Sequence, residues 1–305
     1  PMRLAVVVTL AKALSSTRRW DSKPHLSREL QRTLSDCPTA DEACEVLYER
    51  VDEANEVNVA ATLHRASRDG CGGGSRAALF VACAEAAPRM GPRQLANSAR
   101  ALAVMKRPRS GDEGARRGAL AAVFAGIAGE RDWVSGHEVA MAAWACGSSV
   151  VAARGDEPFF DTAGAAAVAL AGAAAPRLDR YGPKEAADVL WGLGAARRAP
   201  PRDGDDDAGG ARAATTALLD AVADRCDGLR PRDVAACAWA CARLGEAEWR
   251  AQESSRAALR ALAARVDAAF PPRDAAQTVA AFASAGVDAP AVVDAALGAA
   301  ARGTA

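Results

Sequence analysis

Apolar and small residues recur at three- and four-residue spacing through most of the chain, and the pattern restarts at regular intervals. After Pro231, taken as position 0, the residues at positions 3, 4, 7, 8 and 11 are Val234, Ala235, Ala238, Trp239 and Ala242. That spacing places them on one face of a helix, which reads as its core face. The same register returns at Glu56, Pro92, Gly136, Pro183 and Pro272, with a period of 36 to 48 residues. A repeat of this length built from helices is the mark of a helical array.

Several positions keep phase in a way that an alanine-rich composition alone would not produce. Position 4 is alanine in every copy: Ala60, Ala96, Ala140, Ala187, Ala235 and Ala276. Position 8 is large in five copies, as His64, Arg100, Trp144, Trp191 and Trp239, and small only at Ala280. These tryptophans are expected to be core wedges between units, with His64 as a packed aromatic substitute. Position 2 is always polar, and two residues before the start stands an anchor: Met90, Val134, Tyr181, Leu229 or Phe270, with Ala54 the weakest. Proline at position 0 suits the first turn of a helix, where its missing N–H is not needed, and an acid two residues later suits the positive end of the dipole. Gly70, Gly245 and Gly286, at position 14, are expected just past the helix end.

A second apolar-periodic run follows each first helix, over 75–87, 113–129, 161–178, 211–226, 254–270 and 289–301. The expected fold is therefore all-α, a solenoid of about six antiparallel helix-pair repeats occupying 56–305. Residues 26–55 read as an N-terminal helical cap, with helices over 26–34 and 39–51. Residues 1–25 read as a targeting remnant or as a first helix. Residues 1–20 carry Arg3, Lys12, Arg18 and Arg19 and no acid, as in an organelle transit peptide, while the apolar stretch after Met2-Arg3 equally fits a signal-peptide core. Its apolar run, Leu4 to Leu14, is too short to span a bilayer. The segment 197–210, rich in Arg, Pro, Asp and Gly, reads as a disordered loop. Its Asp203–Asp207 run lacks the glycine and the glutamate a calcium loop requires, since Ala208 and Ala214 stand there.

Lys and Arg together number 38, as do Asp and Glu, so the whole-chain field favours no partner and counts against strong non-specific binding to nucleic acid. The eight cysteines include no Cys-x-x-Cys, and Cys237 and Cys241 stand one helical turn apart. Cys37 and Cys44 have no evident partners, so the thiols read as small apolar filler, not as disulfides or metal ligands. No nucleophile has a catalytic neighbourhood, Cys71-Gly72-Gly73-Gly74 lacks the strand and the Lys-Ser/Thr of a phosphate loop, and the three histidines are scattered. The residues argue against an enzyme, and no cofactor, metal or small-molecule substrate is expected.

Positions 1, 5 and 12 share one flank of each first helix. Position 1 is basic or histidine in five copies: Arg93, His137, Lys184, Arg232 and Arg273, with Val57 the exception. Position 5 varies, as Asn97, Asp188 and Gln277 among others. A cation beside a helix N-terminus opposes the dipole, so a repeated cation there asks for compensation. Either the ladder of cations tracks a phosphodiester backbone while position 5 varies along it, or each cation pairs with a nearby acid.

The copies Pro92-Arg-Gln-Leu-Ala-Asn-Ser-Ala-Arg-Ala-Leu-Ala, Pro183-Lys-Glu-Ala-Ala-Asp-Val-Leu-Trp-Gly-Leu-Gly and Pro231-Arg-Asp-Val-Ala-Ala-Cys-Ala-Trp-Ala-Cys-Ala-Arg-Leu-Gly resemble the unit of the octotricopeptide repeat family. That family comprises organellar RNA-binding α-solenoids related to the FAST-kinase-like and RAP-domain proteins. The resemblance covers about 56–305, although the family's asparagine at position 5 appears only as Asn97. It implies binding of single-stranded RNA in a plastid or mitochondrion, acting on transcript stability, processing or translation without a cofactor. The rival expectation is a scaffold that binds a protein partner along the same concave groove.

Overall fold

Proline or a capping residue opens each of the first helices that the pattern predicts, and the backbone turns helical there. The structure is a computed structural model and describes residues 24–105, 112–153, 159–196, 208–245, 252–267 and 269–303. The described residues form fourteen α-helices and four short 3-10 turns, with no strand among them. In chain order the helices are α1 (Pro24–Asp36), α2 (Ala40–Glu49), α3 (Glu56–Asp69), α4 (Gly73–Ala86), α5 (Pro92–Val104), α6 (Glu113–Gly129) and α7 (Gly136–Ala152). They continue as α8 (Phe160–Ala174), α9 (Pro183–Ala196), α10 (Ala208–Arg225), α11 (Pro231–Leu244), α12 (Gln252–Ala263), α13 (Pro272–Ser284) and α14 (Pro290–Gly303). Each of the six pattern starts is the first residue of a helix. Residues 24 and 25 belong to α1 and 208–210 to α10. The rest of the expected targeting segment, the rest of the 197–210 loop and the Asp203–Asp207 run lie outside the described residues.

The polar residue at position 2 is the third residue of its helix, and at Asn58 and Glu185 its side chain takes part in capping. Asn55 and Asn58 form a reciprocal capping box at α3. Glu185 accepts the Gly182 N–H at 3.0 Å, and the Ser135 hydroxyl accepts the Glu138 N–H at 3.4 Å. These bonds satisfy donors that the first turn leaves open, and at Asn58 and Glu185 it is the position-2 side chain that accepts. At the other end, Gly70 and Gly286 have φ of +80° and +61°, a conformation that favours glycine. Gly245 differs: its φ is −84°, and a Cβ on it would stand 2.6 Å from Ser255 Oγ, so close approach is what requires a glycine there.

By its contacts the chain divides into two units, the described residues within 1–132 and 152–166 forming one and those within 133–151 and 167–305 the other. In the first unit α3 packs on α5 and α4 on α6, while α1 and α2 lie against α3. In the second unit α9 packs on α11, α11 on α13, and α10 on α12. First helices thus meet first helices and second helices meet second helices, the packing a helical repeat requires.

The buried face is turned from the expected one. Positions 3, 6 and 10 are buried in all six copies, as at Leu95, Ser98 and Leu102 or Val234, Cys237 and Cys241. Position 8 is buried in none. The reason is geometric: seven residues make nearly two full turns, so position 8 shares its azimuth with exposed position 1. His64 is accordingly exposed, and Trp144, Trp191 and Trp239 are half-buried. Ala276 is exposed, unlike the other alanines at position 4, because no further first helix packs on that side of α13 among the described residues. One anchor also shifts register: Val134 is 81 % exposed, and the adjacent Trp133, 2 % exposed, fills the core instead.

Candidate nucleic-acid interface

In the second unit, α7, α9, α11 and α13 each present the stripe of positions 1, 5 and 8. Glycines and alanines bring these helices together. A Cβ on Gly192 would lie 2.2 Å from the Ala143 carbonyl oxygen, and one on Gly147 would lie 2.9 Å from Cζ3 of Trp191. With backbones this near, the position-8 indoles reach one another. The Trp144 and Trp191 rings lie 6.5 Å apart, centroid to centroid, at an interplanar angle of 28°, and Trp191 and Trp239 lie 6.5 Å apart at 38°. Such offset ring pairs contribute about 0.5–1.5 kcal/mol beyond the area they bury. The Arg243 guanidinium lies 5.3 Å from the centroid of Trp239, and its Nε donates to the Gly194 carbonyl of α9 at 2.9 Å.

One to two turns towards the helix N-terminus from the indoles are the position-1 and position-5 residues. His137, Lys184, Arg232 and Arg273 are all exposed, as is Gln277, and Asp188 is half-buried. The structure therefore brings His137, Lys184, Asp188, Arg232, Arg273 and Gln277 onto one face of the second unit. Arg93, exposed, and Asn97, half-exposed, occupy the matching stripe of α5 in the first unit, beside Arg100.

The cations are not equivalent. Lys184 Nζ contacts Asp188 Oδ2 at 2.5 Å, a pair within one turn of α9. Burial pushes the Asp188 carboxyl above its ordinary range; the bond from Lys184 pulls it back, the Asp233 carboxylate pushes it further up, and Arg232 opposes that. Asp233, almost fully buried, is held by Arg230 Nε at 2.9 Å. Arg93 and Arg273 have no ion pair among the described residues. Of the position-2 acids, Glu185 is thus taken up by capping and Asp233 by Arg230, and of the position-1 cations Lys184 has its charge met by an acid of its own helix.

Many other arginines serve the fold. Arg225 Nη1 donates to the carbonyls of Leu178 and Tyr181, at 2.5 and 2.8 Å, and Arg177 Nη1 donates to the Trp133 carbonyl. In each case an arginine four residues before an anchor reaches back to backbone at the anchor of the preceding pair. The sequence holds the signal for this, an arginine at that offset in two copies, but the copies are too few to stand out. Arg65 likewise donates to the carbonyls of Leu34 and Cys37. It lines a cavity of about 330 Å³ with Gln31, Thr62, His64, Arg68 and Asp69.

No cluster of metal-ligating residues occurs among the described residues. Six of the eight thiols are buried, but Cys44 is not partnerless as its sequence position suggests. Its thiol hydrogen-bonds the half-buried Cys71, which lowers the Cys71 thiol from its ordinary value; the same bond, with burial, pushes Cys44 up. Folding brings α2 beside the turn that opens α4, and no sequence spacing signals that. No helix among the described residues is long and apolar enough to cross a membrane. Compared with known proteins, the chain matches no family model and no curated protein.

Proposed function

We propose that the protein binds single-stranded RNA along the stripe formed by positions 1, 5 and 8 of successive first helices, with its helix pairs stacked as an α-solenoid. The observation that carries this reading is the coincidence, on one face of adjacent helices, of exposed cations with half-exposed stacked indoles. Binding of single strands without strict sequence preference rests on that combination, a positive track for the backbone and aromatic faces for the bases. Position 5, which differs from helix to helix, is placed to tune the preference. The resemblance to octotricopeptide repeats extends the proposal to transcripts of a plastid or mitochondrion and to their stability, processing or translation.

The test is a titration against a single-stranded RNA oligomer at several salt concentrations. Each phosphate neutralised on a single strand contributes about −0.7 to the slope of log K against log salt. The double charge reversal Arg232→Glu with Arg273→Glu is expected to weaken binding strongly and flatten that slope while leaving helicity unchanged. Binding unaffected by the double variant would sink the phosphate track. One observation favours the rival scaffold for a protein partner: Asp188 meets Lys184 and places an acid in mid-stripe. A flat salt response with RNA, alongside a tight helical-peptide partner, would decide for that reading.

A further inference from the structure

Two hydrogen bonds fasten the turn that opens α4 along one face of α2. Asp41 Oδ1 accepts the Gly72 N–H at 2.7 Å, and the Tyr48 hydroxyl donates to the Ser75 carbonyl at 2.5 Å. Asp41, Cys44 and Tyr48 follow one another at three- and four-residue spacing, so they share that face, with Cys44 between the two bonds. Cys71 immediately precedes Gly72, and its sulfur accepts the hydrogen bond of the Cys44 thiol. Cys71 is half-buried, within reach of a small solute, and Cys44 lies fully buried behind it. Glycine stands on either side of Cys71, at 70 with a φ of +80° and at 72, so the turn has the backbone freedom that a disulfide's narrow geometry demands. The other neighbouring pair, Cys237 and Cys241, is fully buried on a single helix and closed to an oxidant. Cys37, also half-buried, is bonded to the Thr33 carbonyl of α1.

From this we infer that Cys44 and Cys71 are a reversible oxidation site, in which a peroxide converts the thiol pair to a disulfide that fastens α2 covalently to the start of α4. Cys71 reacts first. The bond from Cys44 stabilises its thiolate most; burial and Asp41 oppose this, Arg76 supports it and Asp112 opposes it, and the balance holds the thiol below its ordinary value. The thiolate attacks one oxygen of the peroxide, so that an S–O bond forms and the O–O bond breaks. The hydroxide or alkoxide that leaves takes up the proton Cys71 gave to solvent, and Cys71, oxidised by two electrons, becomes a sulfenic acid. The Cys44 sulfur then attacks it: the S–S bond forms as the S–O bond breaks, and the Cys44 proton departs with the hydroxide as water. Two thiols and one peroxide thus give one disulfide, one water, and a second water or an alcohol. A dithiol reductant reverses the step.

The site is tested by treating the full chain with hydrogen peroxide in slight excess, blocking the remaining thiols with iodoacetamide and mapping peptides without reduction. Wild type should yield a linked peptide that joins residues 44 and 71 and disappears after dithiothreitol. Cys44→Ser should stop at a Cys71 sulfenic acid, which dimedone captures, and Cys71→Ser should leave Cys44 reduced. The oxidised wild type should melt several degrees above the reduced protein, because the cross-link restricts the unfolded chain, and neither variant should show that shift. Cys44 recovered as a free thiol once Cys71 of wild type has been oxidised overturns the pair, as does a linked peptide joining Cys71 to Cys37. Equal melting of the linked and reduced forms overturns the fastening of α2.

Discussion

Asp188 and Lys184 show how one residue sets the strength of the proposed interface. Lys184 is half-exposed and already faces a carboxylate, so its charge is largely cancelled before any polyanion arrives. Replacing Asp188 with Asn is expected to free it, raising affinity for single-stranded RNA and steepening the salt slope by about 0.7, one further phosphate contact. The same variant tests the electrostatics of folding. A carboxyl whose folded pKa lies above its unfolded value destabilises the fold at higher pH, and the protein recovers stability as pH falls through the folded pKa. Asp188→Asn should therefore melt no lower than wild type near pH 7, and any gain should shrink as the solution is acidified. A loss of melting temperature that is independent of pH would contradict this. At Cys71 the hydrogen bond from Cys44 favours the thiolate. Cys71 should alkylate before any buried cysteine, and Cys44→Ala should slow that reaction several-fold; peptide mapping after a timed pulse of iodoacetamide checks both.

At the scale of the element, small residues and arginines set how the pairs of the second unit meet. Gly192 has backbone of α7 where a side chain would be, and that cannot give way as a side-chain tip can. Gly192→Val should destabilise by about 1–3 kcal/mol or more and also part the stacked indoles, visible as a change in near-ultraviolet circular dichroism. Arg225 satisfies two carbonyls of the preceding pair. Arg225→Met keeps most of the apolar stem and removes the donors, with an expected cost of about 1–3 kcal/mol in a denaturant melt. Helix existence was legible in sequence because its determinants are local. Proline or a capped residue at position 0, a polar third residue and periodic apolar residues act within a single turn. The burial of position 8 was not legible in the same way. It lies at the border of the apolar stripe, and whether a border residue is covered depends on how near the neighbouring helix comes. The indole of Trp191 ends half-exposed because glycine at 147 and 192 lets the helices close beneath it.

For the whole molecule, a balanced charge conceals an uneven use of it. Arginines such as Arg65, Arg177 and Arg225 are spent on backbone carbonyls, and acids such as Glu185 on helix caps. What remains outward as positive charge on the second unit's stripe is Arg232, Arg273 and the partner-screened Lys184. Two to three effective contacts correspond to a salt slope of roughly −1.5 to −2 for a single strand, a shallow value that a titration can separate from the steep response of a strongly basic protein. The sum of charges along a chain cannot foretell this, since it counts a guanidinium bound to a carbonyl and one open to water alike.

The amino-acid order by itself determined that the described residues are helical and where the first helices begin, and it marked positions 3, 4 and 7 of the core face but missed 6 and 10, because caps, proline geometry and periodicity act between residues close along the chain. Only the tertiary structure decided which border residues stay open, which arginines are consumed, that Cys44 meets Cys71, and that the indoles of α7, α9 and α11 form a ladder. Those outcomes depend on the distance between helices that are tens of residues apart, and that distance is set by the side chains of both partners together.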